Sequence, residues 1–124
     1  MAIIQKRSKK KITGGRYRPY AKKLVNYGDV PTASKMGEHK VKIKRARGGH
    51  AKQIIVATLK ANVMNPKTKK AQVTEIVNVL ENPANRNFIR RGILTRGAVI
   101  ETKLGKARIT SRPGQESIVN AVLL

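Results

Sequence analysis

The chain has 124 residues, enough for about one domain, and its 28 Lys and Arg residues against 6 Asp and Glu give a formal net charge of +22. A charge of this size attracts polyanions, whereas 40% hydrophobic residues are too many for a wholly disordered basic protein, so the composition indicates a folded protein with a phosphate-rich partner. The absence of Cys excludes disulfide frameworks and thiolate metal sites, and the longest uncharged stretch, Ser117 to Leu124, is too short to cross a bilayer.

The first part of the chain, residues 1–37, is predicted to be an extended basic RNA-binding arm and linker. Residues 1–23 hold nine bases and no acid, and their apolar residues follow no helical or strand period. Gly14, Gly15 and Pro19 interrupt any helix. Because such a segment cannot bury enough surface to offset its conformational entropy, it is expected to be extended when alone.

The remainder, residues 38–124, is predicted to be a mostly β domain, a small closed or partly open β-barrel with one short helix. Val and Ile total 18 there against 6 Leu, and β-branched side chains suit a pleated surface. Closing short strands into a barrel hides the sheet edges that invite aggregation. Strands are predicted at residues 39–47, 52–64, 72–80, 92–95, 98–102, 106–111 and 117–123.

Turn residues separate these strands. Gly48 and Gly49 supply a turn that needs positive φ angles, and residues 65–68 join the second and third strands into a hairpin. Residues 112–115 place Pro and Gly at the central positions of a type II turn. In the first strand, Val41 and Ile43 alternate with lysines, as in a strand that is buried on one face.

The short helix is predicted to run from Pro83 to Arg91. Asn82 can cap it, Pro is tolerated at its first position, and Gly92 can end it. The spacing of four residues along a helix then brings Arg86 and Arg90 to one face.

Residues for catalysis or metal binding are sparse. Each of the six carboxylates, and each of the two His residues, is solitary in the sequence, so no pair for acid–base chemistry and no metal-ligand spacing is present. Gly14 and Gly15 lie outside a complete phosphate-loop pattern and are interpreted as a flexible bend. The sequence therefore predicts no enzyme, no metal and no cofactor.

The arm carries the first group of candidate RNA-binding residues. Its two tyrosines can stack on unpaired bases while the neighbouring arginines bind phosphates. A nuclear-import or heparin-type basic run, or a merely solvated tail, is the alternative interpretation. The candidates are Lys6, Arg7, Lys9, Lys10, Lys11, Gly14, Gly15, Arg16, Tyr17, Arg18, Tyr20, Lys22 and Lys23.

Two further groups lie in the predicted barrel domain. The first predicted strand carries Lys40, Lys42, Lys44, Arg45 and Arg47, and its two-residue period places the three lysines on one face. The short helix and the last turn carry Arg86, Arg90, Arg91 and Arg112. Pairing of Arg90 or Arg91 with Glu81 or Glu101 is an equally favoured alternative to RNA contact.

RNA is favoured over DNA as the partner. No helix-turn-helix, zinc-finger or basic-zipper pattern offers a long recognition helix, and an irregular basic arm suits folded RNA better than a regular duplex. A chromatin-like, non-specific DNA-binding protein is the alternative, because it shares the charge. An enzyme acting on RNA is the second rival, and it would need clustered acids or His.

Four blocks of the sequence are distinctive: KRSKKKITGGRYRPYAKK, PTASKMGEHKVKIKRARGG, ENPANRNFIRRGILTRGAVIETKLGKARITSRPGQE and VNAVL. Together they resemble the archaeal form of the archaeal–eukaryotic small-subunit ribosomal protein family eight-e. The resemblance implies a structural constituent of the small, 30S-type ribosomal subunit that binds and stabilises small-subunit rRNA in translation. It also implies neighbouring small-subunit proteins as partners, a cytoplasmic location in the ribosome, and neither a membrane nor a small-molecule substrate.

Overall fold

The computed structural model describes residues 3–4, 8–18, 23 and 26–124. The chain divides into two compact units, Met1–Pro31 and Thr32–Leu124. The segment just after this division belongs to the second unit, because Leu94 donates its backbone N–H to the Ser34 carbonyl and Met36 donates to the Gly92 carbonyl. The domains proposed from the sequence, 1–37 and 38–124, stay a prediction.

The described part of the first unit contains short pieces of regular structure. Strand β1 (Ile3–Ile4) pairs antiparallel with β2 (Tyr27–Gly28). Lys10 and Arg16 form an antiparallel bridge, and the Lys11 N–H donates to the Gly15 carbonyl at 2.8 Å. Gly14, with φ +84°, makes this tight loop possible.

The second unit is built around a closed five-stranded barrel, which confirms the mostly β prediction. Neighbouring strands are antiparallel, and a parallel pairing of the first barrel strand with the last closes the sheet. The barrel strands are β5 (Lys60–Met64), β6 (Ala71–Glu81), β7 (Val99–Thr102), β8 (Gly105–Ile109) and β9 (Asn120–Leu123).

Inward-facing residues of these strands fill the barrel interior, together with residues of neighbouring segments at positions 55, 94, 98 and 119. Large and small side chains are mixed there, as a narrow barrel requires. Full burial of each large aliphatic side chain contributes about 1.5–3 kcal/mol. The buried cluster is Ile55, Ala61, Val63, Ile76, Val79, Leu94, Ala98, Ile100, Ala107, Ile109, Val119 and Ala121.

Outside the barrel, β3 (Lys40–Arg45) and β4 (Ala51–Ala57) form a two-stranded hairpin. A single 3-10 turn at Arg47–Gly49 connects them, and Gly48 and Gly49 have φ +75° and +78°, which confirms the predicted glycine turn. The predicted strand over 52–64 is wrong in one respect, because it is two strands that pair with different partners. They separate at Thr58, whose buried side chain accepts a hydrogen bond from the Lys60 N–H at 3.1 Å.

The helix is shorter than predicted. Strand β6 is followed by a turn, and helix α1 covers only Asn87–Arg90. Asn82 does not cap it, because the Asn82 side chain accepts hydrogen bonds from the Ala84 N–H and the Thr95 hydroxyl and donates to the Ile93 carbonyl. Gly92, with φ +59°, ends the helix as predicted.

Two further predictions need correction. Residues 92–95 form no strand, and only Ile93 takes part in an isolated bridge, with Lys35. The turn at Arg112 is closed by the Gln115 N–H at 2.8 Å, but Gly114 lies outside the left-handed region and Glu116 also donates to the Arg112 carbonyl, so the turn is not type II. Gly114 is needed for space, because a Cβ there would lie 3.2 Å from the Thr32 carbonyl oxygen.

Candidate nucleic-acid interface

The basic residues of the hairpin form the first candidate surface, called the hairpin surface. Lys40, Lys42, Arg45 and Arg47 are exposed and Lys44 is half-buried. Lys42 and Lys44 lie on one face because side chains alternate along a strand. Directly opposite Lys44 in the pairing register is an exposed lysine of β4, Lys52, which the sequence patterns did not identify.

The predicted apolar face of the same strand is not buried. Val41 is 38% exposed and Ile43 is 66% exposed. Burial in this hairpin is confined to its inner end, at Ile54 and Ile55, among the residues that the structure describes. The alternation of apolar and basic residues in β3 therefore does not mark a face that is buried in the fold.

The arginines around α1 form the second candidate surface, called the helix surface. Arg86, Arg90 and Arg91 lie in or beside this helix and are exposed, and Arg112, in the separate turn between β8 and β9, is exposed as well. Arg86 already has helical φ and ψ angles, so its spacing of four residues from Arg90 places both on the same side of the turn.

The alternative to RNA contact is an ion pair between an arginine of this group and a nearby carboxylate, and the structure does not show it among the residues that it describes. Within the described chain, no ion pair of 4.0 Å or less joins Arg90 or Arg91 to Glu81 or Glu101. Glu81 and Glu101 are exposed on β6 and β7. The arginines of the helix surface are thus not neutralised by these two carboxylates.

Arg86 also lines a groove, called the helix groove, of about 570 Å³ between α1 and the barrel. Arg108, on β8, also lines this groove and was not identified from the sequence. The signal that could have found it is its position on β8 between buried Ala107 and Ile109, because alternation then requires the Arg108 side chain to point outward. The other lining residues are Glu81, Asn82, Pro83, Ile89, Gly97 and Val99.

In the arm, the predicted residues with described side chains are exposed. The Lys11 ammonium nitrogen lies 5.4 Å from the centre of the Tyr17 ring, a cation–π contact that leaves the ring partly accessible. The predicted residues Lys6, Arg7, Tyr20 and Lys22 lie outside the described residues. The exposed members are Lys9, Lys10, Lys11, Gly14, Gly15, Arg16, Tyr17, Arg18 and Lys23.

Clusters of metal-ligating side chains are not found in the described part of the chain, where no three His, Cys, Asp or Glu residues lie together. In those same residues no helix is long and apolar enough to cross a membrane.

Comparison with known proteins identifies the family. The family model described as "Ribosomal protein S8e" matches residues 4–124. This chain belongs to that family. A protein of Methanococcus aeolicus named "Small ribosomal subunit protein eS8" is 45% identical over 126 residues, which cover 100% of this chain and 98% of the relative.

Two other relatives with the same name give the same result. The protein of Nanoarchaeum equitans is 47% identical, over 97% of this chain and 95% of the relative. The protein of Sulfolobus acidocaldarius is 43% identical, over 100% of this chain and 98% of the relative. The resemblance found in the sequence is confirmed, and the family is one of structural ribosomal proteins rather than enzymes or DNA-binding proteins.

Proposed function

We propose that the protein is a structural constituent of the small ribosomal subunit, where it binds and stabilises the small-subunit rRNA. The observation that carries this proposal is the family match over residues 4–124. The protein would act in the cytoplasm as part of the ribosome, beside neighbouring small-subunit proteins.

The physical properties of the chain support RNA as the direct partner. Its net charge of +22 favours a polyanion, because each phosphate neutralised by Lys or Arg releases counterions. The described basic residues of the arm, the hairpin surface and the helix surface are exposed, apart from half-buried Lys44. We infer that these three surfaces contact rRNA.

Each surface suits a different kind of contact. Lysines of the hairpin surface are flexible point charges that contact phosphates without a fixed geometry. Arginines of the helix surface present planar forks that bind a phosphate through two hydrogen bonds. Tyr17 of the arm presents a ring face on which an unpaired base can stack.

Sedimentation of ribosomal subunits tests the proposal. After a high-salt wash, the tagged protein is expected to remain with the small subunit, because base stacking and bidentate hydrogen bonds add to the screened charge interactions. A tagged, unrelated basic protein serves as the control and should be released by the same wash. Recovery of this protein in the soluble fraction, with none on the small subunit, would contradict the proposal.

A further inference from the structure

The helix groove is held open by a rigid framework of hydrogen bonds. The Asn82 side chain is 5% exposed and is bonded to Ala84, Ile93 and Thr95 at 2.9–3.2 Å, which fixes the chain between β6 and α1. Gly97, another residue of the lining, donates its N–H to the Ile109 carbonyl at 2.8 Å. A Cβ at Gly97 would lie 3.5 Å from the Pro83 ring, so these two lining residues lie close to each other.

The lining of this groove combines three kinds of chemistry. Pro83, Ile89 and Val99 offer aliphatic surface, and Arg86 and Arg108 offer guanidinium groups. Glu81 adds a carboxylate, and no arginine of the described chain pairs with it within 4.0 Å. The volume of about 570 Å³ is in the range of small-ligand sites, which is roughly 300–1,000 Å³.

The carboxylate restricts what can occupy the groove. A phosphate placed against Glu81 would be repelled, so on an RNA-binding surface this group is favourable where it accepts hydrogen bonds, either one from a ribose 2′-OH or two at once from a base edge. Unpaired bases are recognised by stacking and by hydrogen bonds to their Watson–Crick edges. Guanine presents two neighbouring donors there, N1–H and N2–H, which match the two oxygens of one carboxylate. The other bases present a single donor group beside ring or carbonyl acceptors.

We propose that the helix groove binds one unpaired guanine nucleotide of RNA. This inference rests on the proposed function and names the nucleotide that the site takes. The base lies on the aliphatic surface and donates two hydrogen bonds to Glu81, while Arg86 and Arg108 hold the adjoining phosphates.

Binding of four small RNAs to the full chain tests the inference. The RNAs are identical hairpins that differ only in one bulged nucleotide, G, A, C or U, and affinities are compared at one salt concentration. The bulged G is expected to bind about tenfold more tightly than the others, since a bidentate contact to a base edge discriminates on that scale. Glu81→Gln should reduce this preference to about twofold or less, because an amide offers one acceptor oxygen and a donor group.

Glu101→Gln is the matched control. Glu101 is also exposed, on β7, and lies outside the lining of the groove, so this change removes the same charge and should keep the preference for G. Equal binding of all four RNAs by the unmodified protein, or an unchanged preference for G in Glu81→Gln, would overturn this inference alone. Failure to bind any RNA would overturn the proposed function and this inference with it.

Discussion

At the scale of single residues, the ion pair of Glu75 with Lys103 shows how a neighbouring lysine keeps a carboxylate ionised in this basic protein. Both side chains are largely exposed, and they form an ion pair between β6 and the turn after β7. The hydrogen bond from Lys103 and then its charge hold the pKa of Glu75 below its ordinary value, and the charge of Lys60 adds to the effect. Salt screens an exposed pair of this kind, so the pair affects the pKa of Glu75 more than it affects the free energy of unfolding.

The variant Lys103→Met is therefore expected to raise the pKa of Glu75 toward its ordinary value. NMR titration of the Glu75 carboxyl carbon measures this, and Lys106→Met, which removes a lysine of β8 outside this pair, should leave the titration unchanged. Because the folded-state pKa is lowered, the pair stabilises the fold above the unfolded pKa and loses that contribution as pH falls through the folded value. The difference in stability between variant and parent should accordingly vanish in acid. A Glu75 titration that does not move in Lys103→Met would contradict the assignment.

At the scale of elements, Asn82 organises the connection from β6 to α1 and β7. Two of its three hydrogen bonds tie this connection to the chain that follows the helix, at Ile93 and Thr95, and the third, from the Ala84 N–H, lies within the connection itself. The helix itself is one turn long, and an isolated turn is not stable by its own propensity. The buried amide, rather than a helix cap, thus sets the position of the helix surface.

The variant Asn82→Asp distinguishes a role of Asn82 as a buried hydrogen-bonding amide from a role as a helix cap. Asp is as good as Asn at a helix cap, so a capping role predicts little change in stability. A buried carboxylate cannot donate to the Ile93 carbonyl, and the lost hydrogen bond and unpaired acceptor are expected to cost about 1–3 kcal/mol. Thermal unfolding of the variant measures the effect, with Asn85→Asp as the control because Asn85 is exposed and only accepts a bond from the Asn87 N–H. Equal melting temperatures for the two variants would refute the structural role of Asn82.

At the scale of the whole molecule, the charge is spread over several candidate surfaces rather than collected in one. The basic groups of the hairpin surface and of the helix surface both belong to the second unit, Thr32–Leu124, and further bases lie in the first. Each phosphate contact on such a surface adds to the salt dependence of RNA binding. The slope of the logarithm of the binding constant against the logarithm of the salt concentration therefore measures how many of these Lys and Arg side chains contact phosphates.

Replacing five described arm bases by Gln is expected to flatten this slope by roughly 3.5 to 4.5 units, if each neutralises one phosphate at about 0.7–0.9 units. The replaced residues are Lys9, Lys10, Lys11, Arg16 and Arg18. Filter binding to small-subunit rRNA over a series of salt concentrations measures the slope. A control variant with the same loss of charge outside the three surfaces should change it less: Lys60, Lys67, Lys69, Lys70 and Lys106 to Gln. Equal slopes for the two variants would mean that the arm contributes only general charge.

The sequence by itself determined the properties that depend on composition and on neighbouring residues. The excess of Val and Ile predicted a mostly β domain, Gly48 and Gly49 predicted the hairpin turn, and the long sequence blocks indicated the family. The predictions of the β domain and of the turn succeed because β-branched side chains and positive φ angles act on the local backbone, independently of the rest of the fold.

The tertiary structure alone decided what depends on contacts between distant residues. The closure of the barrel is a parallel pairing of β5 with β9, and the break between β4 and β5 exists because the two strands join different sheets. In the same way, Lys52 lies opposite Lys44, and Arg108 faces the groove that Arg86 lines, through pairings that no local pattern encodes. The physical reason is that register and grooves follow from packing of the complete core, in which each strand's partner is chosen by the burial and hydrogen bonding of all the others.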